Sequence, residues 1–175
     1  VQNNIDETQK ELEEIKNHLE LSQNPLFFFD NDVDGFCAFQ ILRRAINRGK
    51  GVAIKSFPEL KSQYLQKIEE INPDAVFILD KAEVSKEFID GVTEKSIPII
   101  WIDHHKSKTP KELIEKTFYY NSLPSAEPIT YIAQKVFNKK EDLWLAMIGC
   151  IGDVYLADFA EEFEKENPEL FNSNI

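Results

Sequence analysis

Three short apolar runs in this chain each end in acidic residues. Phe27-Phe28-Phe29 leads into Asp30-Asn31-Asp32-Val33-Asp34-Gly35, Ala75–Leu79 into Asp80, and Ile97–Ile102 into Asp103-His104-His105. Such runs are too short for helices, and their lack of polar alternation suits strands buried on both faces. Helical patterns separate them, and the connections are short. That alternation predicts an α/β fold: a parallel five-stranded sheet with helices on both faces, preceded by an N-terminal helix. Parallel strands all end at one edge, so the three acidic clusters converge there, where open α/β sheets carry their sites. Five carboxylates and two imidazoles at one edge repel one another unless cations bind between them.

Ile5, Leu12, Ile15 and Leu19 recur at helical spacing and predict a helix over 5–21. Asn24-Pro25 stops it, and a strand follows over 26–30. Helices are predicted over 35–48, with Phe36, Phe39, Leu42 and Ile46 inward, and over 59–71, 85–93, 125–137, 141–151 and 156–165. The remaining strands are expected at 52–57, 75–79, 97–102 and 117–120. Asn172-Ser173-Asn174 reads as a frayed end. The expected organisation is an N-terminal helical segment (1–24), an α/β domain (25–158) and an acidic tail (159–175).

The chain has 175 residues, 42% of them apolar and 29% charged, as expected for one globular domain with a sizeable core. No apolar run approaches the roughly 20 residues of a membrane-spanning helix. The first segment is too polar for a signal peptide. Cys37 and Cys150 each sit in apolar helical surroundings, which suits buried free thiols and a reducing cytoplasm. The net charge of −11 argues against a protein that grips nucleic acid unaided.

Asp30, Asp32 and Asp34 alternate, so in extended backbone they line one pocket. Gly35 then lets the chain turn into a helix. A calcium loop is a poor match, because the acidic residue needed at its twelfth position falls on Ile41. Taken alone, each of these Asp residues, and Asp80, also suits a helix cap. Asp103-His104-His105 is sharper, and mixed imidazole and carboxylate ligands suit Mn²⁺ or Zn²⁺ better than Ca²⁺. Asp153 closes the apolar helix of Ile148-Gly149-Cys150-Ile151-Gly152, where the helix's negative pole disfavours a carboxylate unless a cation is near. His18 lies on the polar first helix and is expected to be solvated. Arg43, Arg44, Arg48 and Lys50, which include every Arg of the chain, are the best candidate for a phosphate patch, and equally suit the helix end they occupy. Asn121 and Ser122, before the next helix, are candidates for phosphate contact or for a turn and cap.

In this order, D-N-D-V-D-G, Leu79-Asp80, Ile102-Asp103-His104-His105 and Gly149-Cys150-Ile151-Gly152-Asp153 resemble the four motifs of the DHH phosphoesterases, most of all the RecJ branch with its archaeal RecJ-like nucleases. The resemblance implies two Mn²⁺ ions, with Mg²⁺ as the alternative. Asp32 and Asp80 would hold the first ion; Asp34, Asp80, His104 and Asp153 would hold the second. His105 would face the scissile phosphate and Asp103 would orient the His pair. Many members carry a His two or four residues before the Asp32 position. Here those places hold Asp30 and Phe28, and Asp30 is taken as the replacement ligand.

The implied activity is two-metal hydrolysis of single-stranded DNA or RNA, or of short oligonucleotides, from one end. Related sites in the family hydrolyse cyclic dinucleotides, nanoRNA and pyrophosphate. Family members also have a smaller C-terminal domain whose basic residues hold the substrate. Nothing after Asp153 resembles it, so a second domain or a partner chain is expected to complete the cleft. The alternative from another class is a RecJ-like non-catalytic or partner-dependent subunit of a replication or repair assembly. A phosphoacceptor receiver domain fits poorly, because Asp103-His104-His105 stands where its hydroxyl residue belongs.

Overall fold

In the computed structural model residues 2–170 are described, with side chains from Thr8 onward. The expectations for Ile5 and for Asn172–Asn174 fall outside the described side chains and residues. Helix α1 (Gln2–Leu21) precedes strand β1 (Pro25–Asp30), helix α2 (Val33–Ile46) and strand β2 (Lys50–Ile54). Next come β3 (Glu59–Leu60), α3 (Leu65–Ile71), β4 (Ala75–Leu79), β5 (Glu83–Val84), α4 (Lys86–Thr93) and β6 (Ile99–Asp103). The chain continues through α5 (Lys111–Ile114), β7 (Phe118–Asn121), α6 (Ile129–Phe137), α7 (Leu143–Gly152) and α8 (Ala160–Glu166).

The main sheet has the strand order β2-β1-β4-β6-β7, and every pairing is parallel. Successive side chains of a strand point to opposite faces. Phe27, Phe29, Phe77, Leu79, Ile100 and Ile102 therefore join one core, with Ile15 and Leu19 of α1, Ile41 and Leu42 of α2, and Ile132 of α6. Leu26, Phe28, Val76, Ile78, Ile99 and Trp101 join the other, against Ile68 of α3 and Phe88 and Ile89 of α4. Both faces are covered, as the unbroken apolar runs require. The chain moves from β1 outward to β2, then returns across β1 to β4. The order reverses between β1 and β4, and a crevice opens at the carboxyl ends of strands on either side of such a switch. Asp30 ends β1, and Asp80 directly follows the last residue of β4.

Local differences from the sequence reading have physical causes. The predicted helix over 59–71 gives up its first residues to β3, which pairs with β5 so that Leu60 and Val84 are buried. Helix α6 begins at Ile129 rather than 125, because its first amides are held from outside the helix by the Asp34 carboxylate. The strand expected over 52–57 ends at Ile54, where Lys55 N donates to the Tyr64 hydroxyl. The helix expected over 156–165 starts at Ala160, and Ala160 and Phe163 pack on Leu143 and Met147 of α7. Phe36, expected inward, is 47% exposed. His18 is half-buried rather than solvated: its ring packs 4.4 Å from Phe118, and burial pulls its pKa down. Cys37 and Cys150 are buried free thiols, and burial raises them to about 11 and about 12. Among the described residues no helix is long and apolar enough to cross a membrane.

Candidate metal centre

Two glycines let the elements approach closely enough to form the site. A Cβ on Gly35 would stand 2.7 Å from the Asp30 carbonyl oxygen, so only glycine lets the first turn of α2 fold back on the end of β1. A Cβ on Gly149 would stand 2.2 Å from Thr130 Oγ1, so α7 packs flush on α6 and carries Asp153 to the same edge.

Asp32 is the N-cap of α2, its Oδ1 accepting from Gly35 N at 2.9 Å. Asp34, in the first turn, is buried and accepts from Ile129 N and Thr130 N, both at 2.8 Å, while Thr130 Oγ1 donates to the Asp34 carbonyl at 2.8 Å. One carboxylate thus joins α2 to the start of α6. Asp80, just after β4, is in the left-handed region (φ 57°), and its carboxylate is 1% exposed. Neither Oδ atom finds a hydrogen-bond donor. His104 Nε2 lies 3.2 Å from Asp80 Oδ1 and 3.4 Å from Asp153 Oδ2, and its Nδ1 is 3.5 Å from the Ala126 carbonyl. The contact with Asp80 is therefore a charge approach and not an aligned hydrogen bond.

His105 Nδ1 is 2.9 Å from Asp103 Oδ1, and its backbone N–H donates to Oδ2 of the same carboxylate. Asp103 thus holds His105 directly, while His104 Nδ1 faces the Ala126 carbonyl. Backbone strain gathers here as well. Asp80, Ala126 and Val154, each in the site or beside one of its residues, all have positive φ. Non-glycine residues rarely adopt that conformation, and local strain of this kind concentrates at functional sites.

The electrostatics follow from crowding. Burial raises Asp80 to about 7, with the Asp34 and Asp32 charges adding to the shift and His104 opposing it. Asp34 is raised by burial against its hydrogen bonds from Thr130 and Ile129. Burial opposes charge on His104, but Asp80, Asp34 and Asp153 outweigh it and hold the imidazole at about 9. Its hydrogen bond to Asp103 raises His105. A cation bound among these groups competes with the protons that burial favours on Asp80 and Asp34.

Among the described residues two donor groups are close enough to share an ion: Asp80, His104 and His105, and Asp34, His104 and Asp153, each with ligand atoms within 4.8 Å of one another. The mixed oxygen and nitrogen donors and the two orphaned Asp80 oxygens fit a divalent cation. Asp32 lies near enough for its charge to act on Asp80. Asp30 is different. Its Oδ1 sits 3.0 Å from Lys81 Nζ, an ammonium that is 1% exposed, so an ion pair occupies the carboxylate expected to be a ligand.

The expected phosphate-binding residues fare unequally. Arg44 Nε donates to Asp142 Oδ1 at 2.6 Å, and Arg48 donates to the carbonyls of Leu19, Glu20, Ser22 and Ile46. Both lie toward the C-terminal end of α2 and tie it to α1 and to the start of α7, whereas the carboxylates gather at its N-terminal end. Buried Asp142 was the missing partner, and sequence spacing gives no sign of a contact so distant along the chain. Arg44→Ala is expected to cost about 1–3 kcal/mol in urea unfolding, because it strands a buried carboxylate, with Mn²⁺ affinity unchanged by calorimetry. Asn121 Nδ2 donates to the His105 carbonyl at 2.9 Å, and Ser122 Oγ donates to the Glu127 carbonyl at 2.9 Å. These two do adjoin the site, beside Asp103, on the wall of a cavity of ≈ 530 Å³ that Leu12 and Ile15 of α1 also line. Lys81 was overlooked in the sequence, although a lysine directly after a strand-end Asp was the available sign.

The profile of the DHH family, N-terminal domain, matches residues 26–151. The chain belongs to the DHH family. Among solved structures it resembles RecJ in complex with Mn²⁺ from Thermus thermophilus, at 18% identity over 83% of this chain and 24% of that one, TM-score 0.61. It resembles the DHH domain of a member of the s1p family of ribosomal proteins at 14% identity over 93% of this chain and 49% of that one, TM-score 0.71. It also resembles CDC45 from Entamoeba histolytica, at 16% identity over 93% of this chain and 38% of that one, TM-score 0.65. At these identities the likeness is one of fold, and the chain spans less than half the length of each of the three. No curated protein matches the sequence.

Proposed function

We propose that this chain is the catalytic domain of a Mn²⁺-dependent phosphodiesterase that hydrolyses single-stranded nucleic acid or short oligonucleotides with two ions, Mg²⁺ being the alternative metal. The observation that carries the reading is the Asp80 carboxylate, buried and without a donor, facing His104 in the midst of Asp34 and Asp153. Asp34, Asp80, His104 and Asp153 would hold one ion, and Asp32 with Asp80 the other. The ion pair of Asp30 with Lys81 supports a ligand set that leaves Asp30 out. Bound divalent cations supply Lewis-acid polarisation of the phosphoryl group and neutralise its developing charge.

The remaining chemistry falls to the chain's own groups. Asp103, fully buried, accepts from His105 Nδ1–H and so fixes that tautomer, leaving Nε2 of the half-exposed ring to meet a phosphate oxygen. The hold that Asp103 keeps on the ring favours its protonated form, which stabilises negative charge developing on that oxygen. Buried thiols suit a cytoplasmic setting.

A second reading, a RecJ-like subunit that works only with a partner or without catalysis, is favoured by the basic residues. Arg43, Arg44 and Arg48 all donate to groups within the fold, so a polyanion is better held by a second domain or chain. The test is cleavage of end-labelled single-stranded DNA and RNA with Mn²⁺, compared with duplex and with chelator. Release of nucleotides from single strands alone supports the hydrolase. A folded chain that binds Mn²⁺ yet cleaves nothing supports the subunit.

A further inference from the structure

Phe57 stands in water at the edge that carries the metal centre, 83% exposed. It follows β2, the strand beside β1, so its neighbours along the edge are Asp30 and then Asp80 and Lys81 at the end of β4. Neighbouring strands lie about 4.8 Å apart, which puts the end of β2 about 10 Å from the end of β4. The turn holding Phe57 is pinned on both sides: Lys55 N donates to the Tyr64 hydroxyl at 2.8 Å, and Ser56 Oγ donates to the Glu59 carbonyl at 2.6 Å. Lys81 Nζ lies 5.5 Å from the centroid of the Phe57 ring. That ammonium is itself held by Asp30 at 3.0 Å, and the Lys81 carbonyl accepts from Trp101 Nε1 at 2.8 Å.

A fixed cation near an aromatic ring restrains it by cation–π attraction without covering it. The chain therefore holds a large apolar ring in place and leaves it to solvent, one strand from Asp30 and two from Asp80. The core gains nothing from such a disposition. Aromatic rings beside a backbone track are what unpaired bases stack on, whatever their sequence.

We infer that Phe57 is a stacking platform for an unpaired nucleobase next to the phosphate at the metal centre, with the Asp30–Lys81 pair as its mount. The inference rests on the proposed function and narrows its substrate to base-bearing single strands, because a duplex keeps its bases stacked inside and inorganic phosphoanhydrides have none. Asp30 thereby acquires a role other than metal ligation: it places the ammonium that holds the ring.

The experiment compares wild type, Phe57→Ala and Phe57→Trp on an end-labelled single-stranded oligonucleotide with Mn²⁺. Matched oligonucleotides carry one abasic site at successive positions around the cleaved bond. Binding to the same strands is followed by fluorescence anisotropy. Phe57→Ala is expected to raise KM and Kd about 5–150-fold, with kcat within about twofold and Phe57→Trp close to wild type. An abasic site at the stacked position should weaken wild type by the same factor and leave Phe57→Ala unaffected, which a general loss of folding would not do. Equal KM in wild type and Phe57→Ala, or an equal effect at every abasic position, overturns the platform and leaves the hydrolase standing. A wild-type chain that binds the strand through Phe57 without cleaving it overturns the hydrolase and keeps the platform. A wild-type chain that binds no single strand overturns both.

Discussion

Asp80→Asn is expected to abolish specific Mn²⁺ binding in calorimetry and to lower phosphodiester cleavage about 10³-fold or more, while leaving stability in chelator unchanged or raised. The activity loss follows from position. Asp80 approaches His104 and faces the groups of Asp32 and Asp34, so both proposed ions depend on it. Cation stabilisation of a phosphoryl transition state is worth several kcal/mol, and about 1.4 kcal/mol is a factor of ten. The stability sign follows from burial. A carboxylate that is 1% exposed with no donor on either oxygen counts against the folded chain until a cation binds, and the amide removes that charge at nearly equal volume. Mn²⁺ at a hundred times its dissociation constant should therefore stabilise wild type by about 2.7 kcal/mol and the variant not at all. Thermal melts with and without chelator read both effects. A variant that still binds Mn²⁺ as tightly as wild type would remove Asp80 from the metal centre.

Asp34→Ala should behave in the opposite way in chelator. It is expected to cost about 2–4 kcal/mol of unfolding free energy even with no metal present. Asp34 accepts from the first two amides of α6, and those amides are buried. Taking away the acceptor leaves two helix-start donors without partners, at about 1–3 kcal/mol for each buried orphan, reduced by the relief of burying one charge less. For a domain of this size that is a fall in Tm of roughly 4–16 °C. Cation affinity should fall as well, since Asp34 shares its ligand group with His104 and Asp153. Asp34→Asn keeps one acceptor oxygen and is expected to recover part of the stability without recovering the metal. Urea titrations in chelator separate the two losses. If Asp34→Ala is as stable as wild type there, the carboxylate is not the cap of α6.

Stability and chemistry are coupled at this residue because the site is also a junction. The carboxylate that would hold an ion also fastens α6 to α2, and Thr130, which donates to the Asp34 carbonyl, is the residue against which Gly149 lets α7 pack. A bound ion would therefore draw together the ends of β4, β6, α2 and α7.

Much of this was legible in the residues. The apolar runs ending in Asp30, Asp80 and Asp103 could only be strands buried on both faces. Strands joined through helices run parallel, and parallel strands end together; the convergence of the clusters needed no coordinates. The pairing of Cys37 and Cys150 with apolar surroundings was equally local, and both are buried thiols. The helix boundaries were less legible. A helix start depends on where its free amides find acceptors, and for α6 the acceptor is Asp34, 95 residues from Ile129.

Charge partners lie beyond sequence for the same reason. Asp30 reads as a metal ligand by its spacing from Asp32 and Asp34, but the tertiary fold sets the Lys81 ammonium on it. Arg44 and Arg48 read as a phosphate patch, but the fold turns them to Asp142 and to the carbonyls ending α1. Residue type and spacing decide which face of an element a side chain occupies, because that is set by the backbone's own period. Which opposite charge it meets is decided only when distant elements pack, since an ion pair forms wherever the fold brings the two groups together, and nothing in the local chain records that meeting.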